Sequence, residues 1–539
     1  MAIRVEVTGD FLIESSLARV NRGLFGALAR CAEIDLGILA EPTVAQIAGT
    51  SSDELLQAAR TRRFDPDPDV TIRHRWPAVF PHVRAGAYVH MQPWEYGSLP
   101  SAWAEQAREL ADEVWCYSSF VASTYARAGV PEERIAVVPL GYDPQTFSPG
   151  RPPKSARLKD RCVFLYVGDT IARKGVDVAV NAYVAAFKPG DNVVLVVKDF
   201  GEKGSSTSTR LRDHVLALSR RTDLPPIVYI DTVYSDVALA DLYRAATALV
   251  APYRGEGFGL PILEAMASGI ATIATRGGAS DEFTTPETTL YLDASPVKLG
   301  KAYAGLELVD EAFLLEPSET QLVAAMQRLY GNPDEARAMG ARGAEIARAG
   351  WTWEHGAARA LERLRALAGI VPRSAGRSVP PGELTRFELK IASPGGEDGI
   401  LLELFRRLAP ADPTFVECVP AGGEHTVTLF LTRSLGWRGA VMEGDSAGYA
   451  DFATQLGKCG VPNEFELLVL GPESDAAWAR FGAFRPQVVV TPGAKPPQAL
   501  AESCGYRLIG IERQGTSAFF VRDDLVAKTR FAPLTAPAS

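Results

Sequence analysis

The sequence predicts an α/β protein made of three Rossmann-like domains. Its 539 residues exceed what one core usually holds, since a domain takes ~100–200 residues. Short apolar runs alternate with helical stretches along the chain, which indicates parallel βαβ units. Two segments rich in proline, glycine and basic residues, 148–159 and 370–383, interrupt that alternation. We therefore expect domains at 1–150, 151–369 and 384–530, a linker at 370–383 and a tail at 531–539.

Three series of strand-like runs support this division. The first contains IRVEVTG, GAYVHM, ADEVWCYSS and IAVVPLG, and the helical SSLARVNRGLFGALARCA follows its first run. The second contains RCVFLYVG (161–168), DNVVLVVK (191–198), PIVYID (226–231), ATALVAPY (246–253) and GIATIATR (269–276). The third contains TFVECV (414–419), GAVMEG (439–444), FELLVL (465–470), PQVVVT (486–491), YRLIGIE (506–512) and SAFFVR (517–522). Each series predicts one doubly wound sheet.

Net charge and cysteine usage exclude several classes of function. The formal charge of −9 argues against nonspecific binding of nucleic acid, so an anionic substrate would need a local basic pocket. The six cysteines show no CxxC spacing, which favours buried, reduced thiols over disulfides or a zinc site. Asp10 and Glu14 stand where a signal peptide needs apolar residues. We expect a cytoplasmic protein, and peripheral contact with the inner face of the membrane stays open.

The stretch EGFGLPILEAMASG (256–269) carries most of the functional information. It follows a buried strand, ATALVAPY, and predicts a tight loop and then a short helix. Pro261 lies in the first turn of that helix and Gly269 lies just past its end, as helix-start and helix-stop preferences require. Ligands of open α/β sheets bind outside the carboxyl ends of the strands, which is where this loop lies.

The loop suits two parts of a sugar nucleotide. Gly257 and Gly259 allow the backbone to approach a ligand, and their N–H groups with the helix N-terminus favour a diphosphate. A carboxylate accepts hydrogen bonds from vicinal hydroxyls. Glu264, one turn into the helix, could therefore bind a ribose diol, and Glu256 at the loop tip could bind a sugar hydroxyl. The alternative is that both glutamates are solvated surface residues.

This stretch resembles the signature of the family 4 retaining glycosyltransferases, whose two Rossmann-like domains form the GT-B arrangement. The resemblance covers residues 1 to about 368 and includes VGDTIARKGVDVAVNAYVAAF, SDVALADLYRAATALVAP, DEVWCYSSFVASTYARAGVPEERIAVVPLGYDPQTF and WTWEHGAARAL. It implies a hexosyltransferase-type enzyme that moves a sugar from a nucleotide-sugar donor to a glycan, lipid-linked or protein acceptor. It further implies retention at the anomeric carbon, no metal or other cofactor, and a role in polysaccharide or glycoconjugate biosynthesis.

The resemblance assigns roles to residues of the second domain. Lys174 matches a position that contacts the donor phosphates, where its charge would offset the leaving nucleoside diphosphate. Arg173 is a second candidate, because Asp169 follows Gly168 where many members have an arginine. The motif residues that would bind the donor are Gly257, Phe258, Gly259, Leu260 and Glu264. GDP-mannose is the first choice of donor by family frequency, with UDP- and dTDP-sugars as alternatives.

The first domain contributes candidates on the other side of the predicted cleft. His90 ends a strand and would line the reacting sugar, although a structural histidine with aromatic packing is the alternative. Trp94 and Glu95, in QPWEYGSLP, are acceptor-side candidates. The loop after the first strand would approach the diphosphate through Ser15, Ser16 and Asn21. DPDPD (65–69) resembles a DxD metal site, but its alternating prolines and the lack of a preceding strand favour an extended loop, so we expect no metal.

Residues 386–525 resemble the Rossmann-like SAM-dependent methyltransferases, as GGEDGILLELF, TFVECVPAGGEHT and LGWRGAVMEGD show. Glu443 stands where the family binds ribose hydroxyls. The glycine loop, however, reads Val-Pro-Ala-Gly-Gly up to Gly423, and its valine and proline would block the cofactor. We expect a non-catalytic methyltransferase-type domain for packing, partner docking or homo-oligomerisation, with Gly423 and Glu443 as a vestigial SAM site. A bifunctional glycosyl- and methyltransferase, or a non-catalytic sugar-nucleotide-binding assembly protein, are the alternatives.

Overall fold

The computed structural model of the chain describes residues 2–11, 15–40, 68–76, 78, 80, 86–151, 158, 161–200, 206–303, 305–373, 384, 393, 395–410, 413–419, 427–429, 431–432, 436–443, 452–471, 475–478, 480–493, 496–512, 516–529, 531 and 533–534. The chain divides into two compact units. Unit 1 comprises Met1–Asn21, Ala32–Tyr88 and Leu367–Ser539, and unit 2 comprises Arg22–Cys31 and Val89–Ala366.

The amino-terminal part of unit 1 holds three parallel strands. They are β1 (Ile3–Gly9), β2 (Ile34–Ala40) and β3 (Val70–His74), in the order β2-β1-β3. The helix α1 (Ser16–Ala29) follows β1, as the sequence predicts. β1 is buried from Val5 onwards, so Glu6 and Thr8, which alternate with its valines, are buried as well. β2 and β3 were not among the predicted strands.

The carboxyl-terminal part of unit 1 is a six-stranded sheet of order β16-β15-β17-β18-β20-β19. Its strands are β15 (Thr414–Val419), β16 (Arg438–Glu443), β17 (Glu464–Val469), β18 (Arg485–Pro492), β19 (Tyr506–Ile511) and β20 (Ser517–Arg522). The first four are parallel, and β20 runs antiparallel to β18 and β19. All six coincide with predicted strands.

Both faces of this sheet are covered. Val488 and Val490 of β18 belong to one hydrophobic core and Val489 belongs to another, because alternate residues of a strand point to opposite faces. The helices of this part are α11 (Glu397–Leu408), α12 (Phe452–Lys458), α13 (Asp475–Trp478), α14 (Gln498–Ser503) and α15 (Val526–Thr529). Burial on both faces is typical of a doubly wound sheet.

Unit 2 begins its sheet structure with three parallel strands. β4 (Ala87–Met91) pairs with β5 (Glu113–Cys116), and β5 pairs with β6 (Ile135–Val137). The connections contain α2 (Ser101–Leu110) and α3 (Ser119–Arg127). The late helix α10 (Trp353–Leu367) packs on these strands: Arg363 forms an ion pair with the buried Glu113, and Arg359 Nε donates to the Val137 carbonyl at 3.4 Å. The WTWEHGAARAL stretch, which contains Arg359, therefore packs against strands of the first predicted series.

The second sheet of unit 2 is six-stranded and parallel, in the order β12-β11-β10-β7-β8-β9. Its strands are β7 (Cys162–Val167), β8 (Val193–Lys198), β9 (Ile227–Ile230), β10 (Ala248–Ala251), β11 (Ala271–Thr275) and β12 (Thr289–Leu292). Its helices are α4 (Val176–Ala186), α5 (Ser206–Ser219), α6 (Asp236–Arg244), α7 (Leu260–Ala267), α8 (Glu319–Gly331) and α9 (Pro333–Gly350). The five predicted strands are confirmed, and β12 is an addition at the edge.

An antiparallel hairpin, absent from the sequence prediction, follows this sheet. It consists of β13 (Ala294–Tyr303) and β14 (Leu306–Pro317). The hairpin contacts the loop after β4: Gly97 N donates to the Phe313 carbonyl at 3.2 Å and Val309 N donates to the Leu99 carbonyl at 2.9 Å. The hydroxyl of Tyr96 also donates to that of Tyr303 at 2.5 Å. The hairpin therefore holds the segment that contains QPWEYGSLP.

The helices and the cysteines bear on two further questions, whether the chain could cross a membrane and whether its thiols are buried. Within the described ranges, no helix has both the length and the apolar character that crossing a bilayer would need. The six cysteines are free thiols, of which Cys116 and Cys418 are buried and the other four are half-buried. The prediction of buried thiols therefore holds for two of the six.

Candidate functional site

The turn after β7 places Lys174 beside the end of β10. Ala172–Lys174 form one turn of 3₁₀-helix, which ends at Gly175 in the left-handed conformation with φ of 72°. A Cβ atom at Gly175 would lie 1.9 Å from the carbonyl oxygen of Pro252. Only glycine fits this approach. The sequence RKG therefore brings the lysine turn against the loop that follows β10.

The loop after β10 carries Glu256 and leads into α7. Gly259 immediately precedes the helix with φ of 95°, and Pro261 lies in its first turn. Gly269 follows the helix with φ of 81°. These features confirm the loop-and-helix prediction for EGFGLPILEAMASG. The glutamate at the loop tip is thus fixed by a conformation that favours glycine at the helix entry.

Lys174 and Glu256 form an ion pair at the centre of the site. Lys174 Nζ lies 2.5 Å from Glu256 Oε1, and the side chains are 18% and 13% exposed. The two residues are separated by 82 positions in the sequence. Partial burial leaves the pair screened less than a surface pair. The fold therefore brings together the lysine and the first glutamate that the sequence singled out.

Arg173 joins the glutamate loop to the loop after β4. Its Nη1 donates to the Gly255 carbonyl at 2.7 Å, and its Nη2 lies 3.3 Å from Glu95 Oε1. Burial alone would lower the pKa of Arg173, but the carboxylates of Glu95 and Glu256 outweigh that effect and raise the pKa above its ordinary value. The guanidinium is therefore charged, and its contacts are with protein groups.

The remaining residues of the motif are packed below the loop. Glu264 is buried, with 1% exposure, and its Oε2 accepts a hydrogen bond from the Tyr243 hydroxyl at 3.0 Å. Phe258 is buried and its ring packs on Phe283 at 4.9 Å. Leu260 is the first residue of α7. Glu264 is therefore a buried, positioned carboxylate and not a solvated helix-surface residue.

The loop after β4 lies directly against the glutamate loop. A Cβ atom at Gly255 would lie 2.5 Å from the Glu95 carbonyl oxygen. His90, near the end of β4, is 1% exposed. Trp94 is buried, its Nε1 donates to the Ser98 carbonyl at 2.6 Å, and its ring packs on Trp103 at 5.1 Å. Trp94 thus shapes this loop, and Glu95 is the partner of Arg173.

A serine that the sequence did not single out fixes the same region. Ser118 Oγ donates to the Gly257 carbonyl at 2.9 Å and accepts from Val121 N at 3.4 Å at the start of α3. Ser118 lies at the end of the strand-like run ADEVWCYSS, and this position was the available signal. The glycine of the glutamate loop is therefore anchored to the first series of strands in unit 2.

The candidates of the first loop belong to unit 1. Ser15 Oγ accepts from Ala18 N at 3.1 Å, and Ser16 is exposed at the start of α1. Asn21 is fully buried, and its Oδ1 lies 2.5 Å from Nδ1 of His74. Burial lowers the pKa of His74 to about 3, so this ring is neutral at physiological pH. Ser15 and Asn21 thus have structural contacts within unit 1.

The remaining predicted sites lie partly outside the described residues. Gly423 is outside them, and Glu443 is the last residue of β16, paired with Val419. Residues 65–67 of DPDPD are also outside, whereas Asp69 Oδ1 lies 3.0 Å from Arg4 Nη2. Within the described part of the chain, no group of three or more His, Cys, Asp or Glu side chains is placed to hold a metal ion.

Parts of the chain are similar to known proteins. Residues 161–332 match the family model described as glycosyl transferases group 1. This segment contains Lys174, Glu256 and Glu264. The sucrose-phosphate synthase from Thermosynechococcus elongatus superposes with a TM-score of 0.50 at 18% identity, covering 68% of this chain and 99% of that chain. The α/β fold with parallel sheets is therefore one that glycosyltransferases use.

Curated relatives match about half of the chain. A D-inositol 3-phosphate glycosyltransferase of Kineococcus radiotolerans is 32% identical over 263 residues, which is 47% of this chain and 56% of that protein. A GDP-mannose-dependent alpha-(1-6)-phosphatidylinositol monomannoside mannosyltransferase of Mycobacterium tuberculosis is 26% identical over 293 residues, covering 52% of this chain and 69% of that protein. The chain thus spans little more than half the length of the first of these relatives.

Arg254, at the head of the RGEGFG loop, is a further site residue that the sequence analysis missed. Its guanidinium donates to both oxygens of Asp177 at 2.9 Å and to those of Glu316 at 2.5 and 2.8 Å. Its Nη1 also donates to the Ala172 carbonyl at 2.6 Å. The arginine therefore ties the glutamate loop to the lysine turn, to α4 and to the hairpin. Its acidic partners lie far away in sequence, so only the fold shows this brace.

We expect Arg254→Lys to lower the free energy of unfolding by about 2 kcal/mol, because lysine cannot reproduce the two forked contacts with carboxylates. Thermal unfolding of the purified chain measures this effect. Arg337→Lys is the matched control, since its ion pair with Asp334 joins side chains that are 70% and 91% exposed and should contribute little. Equal unfolding temperatures for Arg254→Lys and the control would contradict the proposed brace.

Proposed function

We propose that the chain transfers a sugar from a nucleotide-sugar donor to a glycan, lipid-linked or protein acceptor, with retention at the anomeric carbon and without a metal. The observation that carries this proposal is the Lys174–Glu256 contact of 2.5 Å within the segment that matches the group 1 model. A cation and a carboxylate at the carboxyl end of a parallel sheet support the proposal, because ligands of such sheets bind there.

The lysine suits the chemistry of the leaving group. Breaking the glycosidic bond leaves negative charge on the nucleoside diphosphate, and a fixed cation stabilises that charge as it develops. Lys174 lies on a turn held by Gly175 and by Arg254, so its charge is positioned before the donor arrives. The N-terminus of α7, with the N–H groups around Gly259, offers further stabilisation of an anion. No metal is needed for this step.

The glutamate suits the sugar. When the diphosphate takes over Lys174 as a counter-ion, the carboxylate of Glu256 becomes available to accept hydrogen bonds from a hydroxyl of the transferred sugar. Glu264 would bind the ribose diol with its buried carboxylate, which Tyr243 orients. The acceptor hydroxyl would attack on the face from which the diphosphate departs, as the family 4 resemblance implies. The new glycosidic bond would form as the old one breaks, and the hydroxyl proton would pass to an oxygen of the departing diphosphate. His90, Arg173 and Glu95 would line the same region.

Donor and location extend the proposal. GDP-mannose remains our first choice of donor, and the name of the Mycobacterium tuberculosis relative gives the same donor for that protein. UDP- and dTDP-sugars are the next choices. We propose that the enzyme works in the cytoplasm on surface polysaccharide or glycoconjugate precursors, in peripheral contact with the membrane when the acceptor is lipid-linked.

A nucleotide panel tests the function. The purified chain is mixed separately with GDP-mannose, UDP-glucose, dTDP-glucose and each of the three corresponding nucleoside diphosphates. Thermal unfolding is measured for all six ligands, and release of the nucleoside diphosphate is measured for the three sugar nucleotides. We expect one donor to raise the unfolding temperature, because a ligand at about 100 times its Kd stabilises the native state by about 2.7 kcal/mol. Release of the nucleoside diphosphate from that donor should then require an added extract that contains the acceptor. Stabilisation without any release would favour the sugar-nucleotide-binding assembly protein.

For the third domain we propose the boundaries 384–530 and a non-catalytic, methyltransferase-type scaffold that serves packing, partner docking or homo-oligomerisation. The valine and proline that begin its glycine loop support this proposal. Calorimetric titration with SAM decides between the scaffold and a bifunctional enzyme. We expect no heat of binding, and saturable binding would favour the bifunctional alternative.

A further inference from the structure

The loop after β4 contains a buried amide with an unusual environment. Gln92 is 0% exposed, and neither its Oε1 nor its Nε2 has a hydrogen-bond partner among the residues that the structure describes. Buried amides are almost always paired, because an unpaired donor or acceptor loses its hydration without replacement. Gln92 carries one of each, and it follows β4 by one residue. The contacts of this loop explain the path of its backbone, but they do not explain why a glutamine side chain is buried there.

The position of Gln92 relates it to the candidate site. A Cβ atom at Gly257 would lie 3.5 Å from Pro93 Cβ and 3.8 Å from Trp94 N. The residues directly after Gln92 therefore pack on the loop that carries Glu256. The ion pair between Arg173 and Glu95, at 3.3 Å, also joins this loop to the lysine turn. Gln92 thus lies at the carboxyl end of a parallel strand, in the loop whose next three residues contact the lysine and glutamate loops.

From this arrangement we infer that Gln92 binds a hydroxyl group of a saccharide substrate. This inference rests on the proposed function. A sugar hydroxyl is at once a donor and an acceptor, so it can satisfy the Oε1 and the Nε2 of one glutamine, alone or with its neighbour on the ring. A phosphate offers only acceptors and would leave Oε1 without a partner. The amide therefore discriminates for the sugar and not for the diphosphate.

The test replaces Gln92 by leucine. In the ligand-free protein we expect an unfolding temperature equal to or above that of the wild type, since exchanging an unpaired buried amide for an apolar group of similar size removes a penalty. We expect kcat/KM for transfer to fall roughly 10- to 100-fold, because a site built for a hydroxyl then lacks its partner. Gln92→Met is the second variant in case leucine prevents folding.

Separate readouts identify which sugar is bound. If the hydroxyl belongs to the donor, the leucine variant keeps its stabilisation by GDP, UDP or dTDP and loses the additional stabilisation by GDP-mannose, UDP-glucose or dTDP-glucose. If it belongs to the acceptor, donor stabilisation is unchanged and only the KM for acceptor rises. Gln498→Leu is the matched control: its Nε2 donates to the Leu534 carbonyl at 2.9 Å, so it should lose stability without changing transfer.

Three results would overturn the inference. Transfer within twofold of the wild type would show that Gln92 binds no substrate group. A ligand-free unfolding temperature reduced as in Gln498→Leu would show that the amide is already satisfied in the folded protein. Wild-type protein that none of the six nucleotides stabilises would overturn both this inference and the proposed function, whereas stabilised wild type with an unaffected leucine variant overturns the inference alone.

Discussion

We expect Lys174→Met to lower kcat for sugar transfer by roughly 100- to 1000-fold, the effect of removing one preorganised group that stabilises charge in a transition state. Methionine keeps most of the length of the side chain and removes its charge, so the departing diphosphate would lose its fixed counter-ion. The measurement is single-turnover transfer at saturating donor, which separates chemistry from binding.

The control for this variant is Lys188→Met, because Lys188 is exposed beyond the end of α4. It should transfer sugar at the wild-type rate. The lysine variant also leaves Glu256 without its partner, so its unfolding temperature must be recorded. Transfer is therefore compared at a temperature at which Lys174→Met is still folded. A reduced rate in the folded variant supports the role of the lysine in catalysis, and a wild-type rate would contradict it.

Glu256→Gln should produce two changes of opposite sign. Transfer should fall by roughly 100-fold, since a neutral amide accepts hydrogen bonds from a sugar hydroxyl less strongly than a carboxylate does. Binding of the nucleoside diphosphate alone should become tighter, because Lys174 is no longer paired with a carboxylate 2.5 Å away. Kinetics measures the first change and calorimetric titration measures the second.

Glu287→Gln is the matched control for the glutamate, since Glu287 is exposed in unit 2. It should change neither quantity. Weaker diphosphate binding by Glu256→Gln would mean that the carboxylate and lysine act as one structural element, and it would contradict the exchange of partners that the proposed mechanism needs.

Local sequence patterns were sufficient to predict much of the fold. All six strands of the sheet β15–β20 lie where apolar runs stand between turn residues, and so do five of the six strands of the sheet β7–β12. The hairpin β13–β14 was missed because β13 is largely exposed and β14 is half-exposed, so neither strand forms a continuous apolar run. The turn residue Gly305 between the two strands was the available signal.

The site was predictable only in part, for a physical reason. Lys174 and Glu256 belong to compact motifs whose glycines and proline fix the local backbone, so their positions could be read from sequence. Arg254 and Gln92 acquire their significance from partners, or from a lack of partners, that only the folded chain establishes. The acidic partners of Arg254 lie 77 and 62 residues away, and burial of a glutamine amide has no sequence signature.

The decisive measurement is a crystal structure with the nucleoside diphosphate of the best stabilising donor. We expect phosphate oxygens at hydrogen-bond distance, about 3 Å, from Lys174 Nζ, with the contact between that atom and Glu256 lengthened. A diphosphate bound elsewhere, with Lys174 and Glu256 still 2.5 Å apart, would contradict this expectation.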